Sequence, residues 1–191
     1  WDELPSAIAV FGNGVIGLEL AQALNRLGVR VKLFGRSGRV GPLTDPIVAE
    51  AALAAYAAEY RFSPSSEIVS VKREGNQVIV TERLAGREVE ERFDYLIAAT
   101  GRRPNLDKLG LEHADIALDE LGTPLDWDRH TAQIGESGIF LAGDAAPDAP
   151  LLHEASDAGR IAGENAARFP FVAPRHRRTP IGVVFSDPQI A

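Results

Sequence analysis

The stretch SAIAVFGNGVIG, from Ser6 to Gly17, decides the fold. Ser6 to Phe11 is an apolar run of strand length, and it passes without a break into Gly12, Asn13, Gly14, Val15, Ile16 and Gly17. Beyond the glycines, Ile16, Leu20, Ala23 and Leu27 recur at helical spacing while Glu19, Gln22 and Arg26 take the other side. That pattern predicts a helix with the first set as its buried stripe. Gly28 supplies a stop that needs no Cβ. Val29 to Phe34 is a second strand, closed by Gly35. Thr44, Asp45 and Pro46 then open an alanine-rich helix over Ile47 to Tyr60, with a capping side chain ahead of a proline. Strand, helix, strand, helix is the βαβ unit of a parallel sheet.

Glycines at these three positions suit a dinucleotide pyrophosphate, which lies against backbone N–H groups at a helix N-terminus where the macrodipole favours negative charge. Gly12 permits the tight turn, Gly14 lets the phosphates approach, and Gly17 allows the helix to pack on the strand. Glycine-rich turns also arise for steric reasons alone, but the flanking strand and amphipathic helix supply the context a dinucleotide site requires. The end of the second strand bears on which nicotinamide cofactor fits. An acid there would bond the ribose 2′-OH of NAD. The sequence instead reads Gly35, Arg36, Ser37, Gly38, Arg39, with no acid before Asp45. Arg36 stands where a 2′-phosphate clamp is expected and Arg39 could assist, which favours NADP(H). The alternative is a solvated arginine beside a glycine that accepts either cofactor.

Farther on, Ile68 to Arg73, Gln77 to Arg83 and Glu88 to Phe93 alternate polar and apolar residues between turn signals, as an antiparallel meander with one wet face does. Tyr95 to Ala99 reads as another buried strand. Residues 105–137 are loop-rich. Gly138 to Ala142 reads as a strand, Leu151 to Arg168 as a helix, Pro174 to Pro180 as a solvated basic linker, and Ile181 to Phe185 as a final strand.

Composition narrows the function further. Of 191 residues 45% are hydrophobic, enough for a real core. The net charge of −7 argues against a nucleic-acid partner or a polybasic membrane surface. No apolar run reaches the ~18–20 residues that cross a bilayer. There is no cysteine, hence no thiol nucleophile, and His113, His130, His153 and His176 lack ligand spacing, so no metal site is expected. There is no methionine either, so the chain reads as a piece of a longer protein.

Three motifs appear in one order: the glycine turn, then Ala99-Thr100-Gly101-Arg102-Arg103-Pro104-Asn105, then Phe140-Leu141-Ala142-Gly143-Asp144. In this order they resemble flavin-dependent pyridine nucleotide–disulfide oxidoreductases. The helix after Gly143 and Asp144 and the closing run from Phe185 to Ala191 are most similar to dihydrolipoamide dehydrogenases. The resemblance covers essentially the whole chain and implies an α/β fold class: a Rossmann-like NAD(P)-binding domain of parallel sheet plus antiparallel β-meander at 1–107, the C-terminal half of an FAD-binding domain at 108–180, and the start of an interface or dimerisation domain at 181–191.

The same resemblance implies site residues. Gly101 would lie near the NAD(P) pyrophosphate together with Gly12, Gly14, Ile16 and Gly17. Val15 would gate the nicotinamide pocket, or simply pack. Glu19 would sit near nicotinamide and flavin, or on a solvated helix face. Asp144, next to Gly143, would accept a hydrogen bond from the FAD ribitol, where a plain strand-end cap is the other possibility. The helix start at Leu152 and His153 would point N–H groups at the flavin. The cofactors implied are FAD and NAD(P), with NADP favoured over NAD. The parent would be a cytoplasmic homodimer acting on a small-molecule or protein-bound disulfide. Its redox-active cysteine pair and its His–Glu pair belong to segments outside these residues, so no residue here is assigned a catalytic role. A flavin transhydrogenase or a glutathione or mercuric reductase shares the architecture, and a non-catalytic NAD(P)-sensing module is the rival of another class.

Overall fold

A computed structural model describes residues 3–148 and 150–191. Two compact units emerge, Trp1–Gly101 with Gly182–Ala191, and Arg102–Ile181. The break falls six residues before the boundary drawn from the motifs, and the closing segment packs with the first unit.

In the first unit β1 (Ala7–Phe11), α1 (Val15–Arg26), β2 (Arg30–Phe34), α2 (Pro46–Glu59) and β3 (Arg61–Ser63) alternate. Then come β4 (Glu67–Glu74), β5 (Gln77–Leu84), β6 (Arg87–Phe93) and β7 (Tyr95–Ala98). The parallel sheet has the order β3-β2-β1-β7, and β4-β5-β6 form a separate antiparallel sheet. Both predicted helices form. Gly28, at φ +90°, follows Leu27, the C-cap of α1, as the stop signal requires. Asp45 caps α2, its Oδ1 accepting from the N–H groups of Ile47 at 2.9 Å and Val48 at 3.1 Å. Asp45→Ala should cost about 1 kcal/mol in denaturant unfolding, the usual worth of a cap.

One face of the parallel sheet packs Ile8, Val10, Val31 and Leu33 against Leu18 and Ala21 of α1 and Ala52 and Tyr56 of α2. The other packs Ala7, Ala9 and Phe34 against Val78, Val80 and Phe93 of the meander. Lys32 also points to this second face. It is 2% exposed and bonds Glu82 at 2.6 Å and Glu91 at 2.5 Å, while Arg61 closes on Glu91 from outside.

The second unit is loop-rich. Leu106, Leu111, Ile134, Leu141 and Ala146 form one cluster, and Ile161 and Ala162 of α3 (Leu152–Ala166) join Ala132 in another. Short 3₁₀ turns occupy Leu111–His113 and Gly143–Ala145. Among the described residues no helix is long and apolar enough to cross a membrane.

Several expectations need correction. The buried face of α1 is Leu18, Ala21 and Gln22, and the predicted stripe of Ile16, Leu20, Ala23 and Leu27 is exposed. Gln22 is drawn inward because its amide bonds the backbone of Asp187 and the Glu59 carboxylate, so polar contacts set the helix rotation. β7 is only half-buried, because it is the edge of the sheet. Residues 138–142 and 181–185 are not strands. Each makes a single bridge, Gln133 with Phe140 and Val184 with Ile190, too little pairing for a ladder. The basic linker is not solvated throughout: Arg177 is buried and bonds Glu154 at 2.5 Å and Asp148 at 3.0 Å. β3 was not foreseen, being three residues long and polar at both ends.

Candidate functional site

The turn between β1 and α1 needs two of its glycines for backbone reasons and leaves the third open. Gly12 sits at φ +112°, and a Cβ there would fall inside the carbonyl of Ala99 on the neighbouring chain segment. A Cβ on Gly17 would run into the carbonyl of Gly12, so the first turn of α1 lies directly on the strand exit. Gly14 is different. It is the N-cap, at φ −80°, and nothing lies within 4 Å of where its Cβ would stand. No side chain caps α1, so the N–H groups of its first turn have no intrahelical or capping acceptor. They face a position where an anion is stabilised by the helix dipole and by direct donation.

This terminus opens on a cavity of about 610 Å³. Gly12, Gly14, Arg36 and Gly101, four of the predicted residues, line it together with Asn13, Ser37 and Thr100. Its apolar wall is Phe11 and Phe34, stacked with ring centres 5.0 Å apart, and Phe34 is braced edge-on by Phe93 at 6.1 Å. Such a flat aromatic wall beside a ring of donors fits a ligand with a planar base and phosphates. Arg36 is exposed on the segment after β2, with no ion-pair partner among the described residues. Its guanidinium is free to take an anion.

Val15, Ile16 and Glu19 do not line this cavity. Val15 is partly buried against the helix-side core, Ile16 is exposed, and Glu19 accepts the N–H of Phe185 at 2.8 Å. That contact belongs to a wider seat for the closing segment, in which Tyr56 and Ser186 hydroxyls bond at 2.6 Å and Arg26 pairs with Asp187 at 3.0 Å.

In the second unit Gly143 takes φ +66°, which lets the chain turn beside Ala155 of α3. Asp144 follows in the 3₁₀ turn, half-exposed, with one oxygen 3.1 Å from Arg102. Leu152, 90% exposed, and His153 begin α3, whose N-cap Leu151 offers no side-chain acceptor. The segment from Gly143 to Asp148 is tied to this helix start by ions: Asp148 and Glu154 share Arg129 and Arg177. The sequence reading missed Asn13, Arg102 and Arg177 as members of these sites. Arg102 carried a signal, since it stands inside a quoted motif. Arg177 carried none, because its acidic partners lie 23 and 29 residues away along the chain.

A sequence profile of the pyridine nucleotide-disulphide oxidoreductase family matches residues 2–159. The chain belongs to that family. Dihydrolipoyl dehydrogenase from Thermus scotoductus is 32% identical over 169 residues, taking in 86% of this chain and 36% of that protein. Mercuric reductase from Acidithiobacillus ferrooxidans is 34% identical over 199 residues, taking in 100% of this chain and 33% of that protein. Among solved structures, LpdA from Mycobacterium tuberculosis aligns with a TM-score of 0.80 at 33% identity, over 99% of this chain and 40% of that one. The flavoprotein disulfide reductase RclA from Escherichia coli shares the fold, with a TM-score of 0.82 at 22% identity over 99% of this chain and 42% of that one. The chain thus spans about a third of the length of the curated relatives it matches. Family membership implies binding of FAD and NAD(P), and the parallel sheet with its antiparallel companion is the α/β architecture expected from the motifs.

Proposed function

We propose that this chain is the NAD(P)-binding and partial FAD-binding portion of a flavoprotein disulfide reductase similar to dihydrolipoamide dehydrogenase. Residues 1–107 take the nicotinamide dinucleotide, 108–180 supply the returning half of the flavin domain, and 181–191 open the interface domain. The observation that carries this is the uncapped start of α1, with an open Gly14 against a cavity of about 610 Å³, in a chain of this family.

The residues present fit both groups. Gly12, Gly14 and Gly101 leave space for the pyrophosphate, and the first turn of α1 at Val15, Ile16 and Gly17 supplies its donors. The nicotinamide-end roles of Val15 and Glu19 rest on the family resemblance, since neither side chain lines the cavity. On the flavin side, Asp144 retains acceptor capacity beyond its bond to Arg102, and the start of α3 at Leu152 and His153 has no capping side chain. When bound, the cofactors supply hydride exchange between nicotinamide and flavin. The protein's part is orientation: the first turn of α1 fixes the phosphates, and Asp144 fixes a hydroxyl by acting only as an acceptor. The mercuric reductase relative keeps a metal-reducing parent open beside the disulfide-reducing one. In this reading the parent is a cytoplasmic homodimer.

Arg36 makes NADP(H) the favoured cofactor. It is exposed, unpaired and on the cavity rim, and the residue before it is a glycine rather than an acid. Calorimetric titration of the 191-residue chain should show NADPH binding at least severalfold tighter than NADH, with Arg36→Ala erasing the difference. Equal affinities in the unmodified chain would remove the clamp.

A further inference from the structure

Asn13 is the residue of the glycine turn that no cofactor role requires, yet it is the most connected. Its Nδ2 donates to the carbonyl of Arg39 at 2.5 Å, and its backbone carbonyl accepts the N–H of Gly41 at 2.9 Å. It therefore reaches across the cavity rim and holds the far end of the segment that carries Arg36. The near end of that segment is held separately. The N–H of Gly35 bonds Ser63 at 2.8 Å, the N–H of Ser66 bonds the carbonyl of Gly35 at 2.6 Å, and the N–H of Gly38 bonds Pro64 at 2.9 Å. Arg36 and Ser37 lie between Gly35 and Gly38, and the Asn13 contacts hold the stretch that follows them, from Arg39 to Gly41.

The same amide occupies the space beside Gly35. A Cβ on residue 35 would stand 2.5 Å from Asn13 Nδ2 and 2.7 Å from the carbonyl oxygen of Pro64. Residue 35 ends β2, the place from which an acidic side chain would reach a ribose 2′-OH. With Asn13 and Pro64 where they are, no side chain can start there without displacing both of them.

We propose that Asn13 is a positioning residue for cofactor discrimination: its side-chain amide latches the 35–41 segment so that Arg36 faces a 2′-phosphate, and it closes the position of an acidic ribose reader. This rests on the proposed role of Arg36. The ligand chemistry is a dinucleotide whose adenosine ribose carries a phosphomonoester. Asn13 also lines the cavity, so it is the ratio of the two affinities, and not the affinity for either dinucleotide alone, that reports its hold on the segment.

Two measurements on the 191-residue chain separate the latch from the Arg36 reading. Hydrogen exchange reports the latch directly, because the amide of Gly41 bonds the backbone carbonyl of Asn13, whereas that of Gly38 bonds Pro64 and serves as the internal control. In Asn13→Ala the Gly41 amide should exchange at least fivefold faster, and the NADPH-to-NADH affinity ratio should fall at least fivefold. Asn13→Asp keeps the size of the side chain but cannot donate to Arg39, so it should follow Asn13→Ala in both respects. Unchanged exchange in both variants overturns the latch. Faster exchange with an unchanged ratio overturns the role in discrimination. A wild-type chain with equal affinities overturns the Arg36 reading before any variant is made, and the exchange rates then decide the latch by themselves.

Discussion

Lys32→Met should destabilise the first unit by roughly 3–5 kcal/mol, the cost of removing one partner from a buried ion pair. The ammonium lies on the sheet face that packs against the meander, 2% exposed, with Glu82 3% exposed beside it. Its stem crosses Phe34, with Nζ 4.7 Å from the ring centre. Methionine fills the same volume, so packing is kept and the loss isolates the charge. Glu82 is left without its cation, and one of its oxygens already has no hydrogen-bond partner. For a chain of this length each kcal/mol lowers the melting temperature by about 2–4 °C, so the midpoint should drop by at least ~6 °C. Acid tests the same network. Burial pushes the Glu91 carboxyl up, but hydrogen bonds from Lys32 and Arg61 outweigh this and hold it below its ordinary value of 4.5. A carboxyl lowered in the folded state stabilises the fold above that value, and the contribution is lost as pH falls through the lower folded one. Melting temperature should therefore decline below about pH 4.5 in the wild type, and less steeply in Lys32→Met. Parallel declines in the two proteins would show that Lys32 is not what holds Glu91 down.

Gly17→Ala should cost about 3 kcal/mol, at the upper end of what one added methyl costs in a packed interior. The added Cβ meets a backbone carbonyl, that of Gly12, which can yield only by moving the turn. Gly14→Ala is the matched control, because its φ of −80° is ordinary for alanine and the space around it is open. The two variants should separate in thermal melts: Gly17→Ala lowers the midpoint by at least ~6 °C, and Gly14→Ala by no more than the ~2–4 °C that a poorer N-cap costs. Equal melting temperatures for the two would mean that Gly17 does not set the approach of helix to strand.

The parts of the fold legible in the sequence were those fixed locally. The strand into Gly12, the stop at Gly28, the cap at Asp45 and the alternation of the meander all depend on neighbours within a few residues. The rotation of α1 did not, since Gln22 is buried by contacts with Glu59 and Asp187, the latter 165 residues away. Nothing local to β2 marks Lys32 as buried, because its two acids come from β5 and β6. For the candidate site, Gly12, Gly14, Arg36 and Gly101 could be singled out from the sequence because a tight strand-to-helix turn restricts residue type, and the fold brings these four to one cavity. Asn13 and Arg177 could not be, because their roles come from partners that only the folded chain supplies. Residues 138–142 failed as a strand for the complementary reason: an apolar run states a wish for burial but not which ladder will satisfy it.

The proposed function stands on the first turn of α1 receiving a dinucleotide. Its most direct test is NADPH titration of the 191-residue chain by calorimetry, beside Gly14→Val, with melting temperatures recorded for both. Valine at this open position should lower the melting temperature by no more than a few degrees, as a poorer N-cap, while filling the space the phosphates need, so wild type should bind one equivalent and the variant at least tenfold more weakly. No binding by a folded wild-type chain, or equal binding by the two, would contradict the assignment.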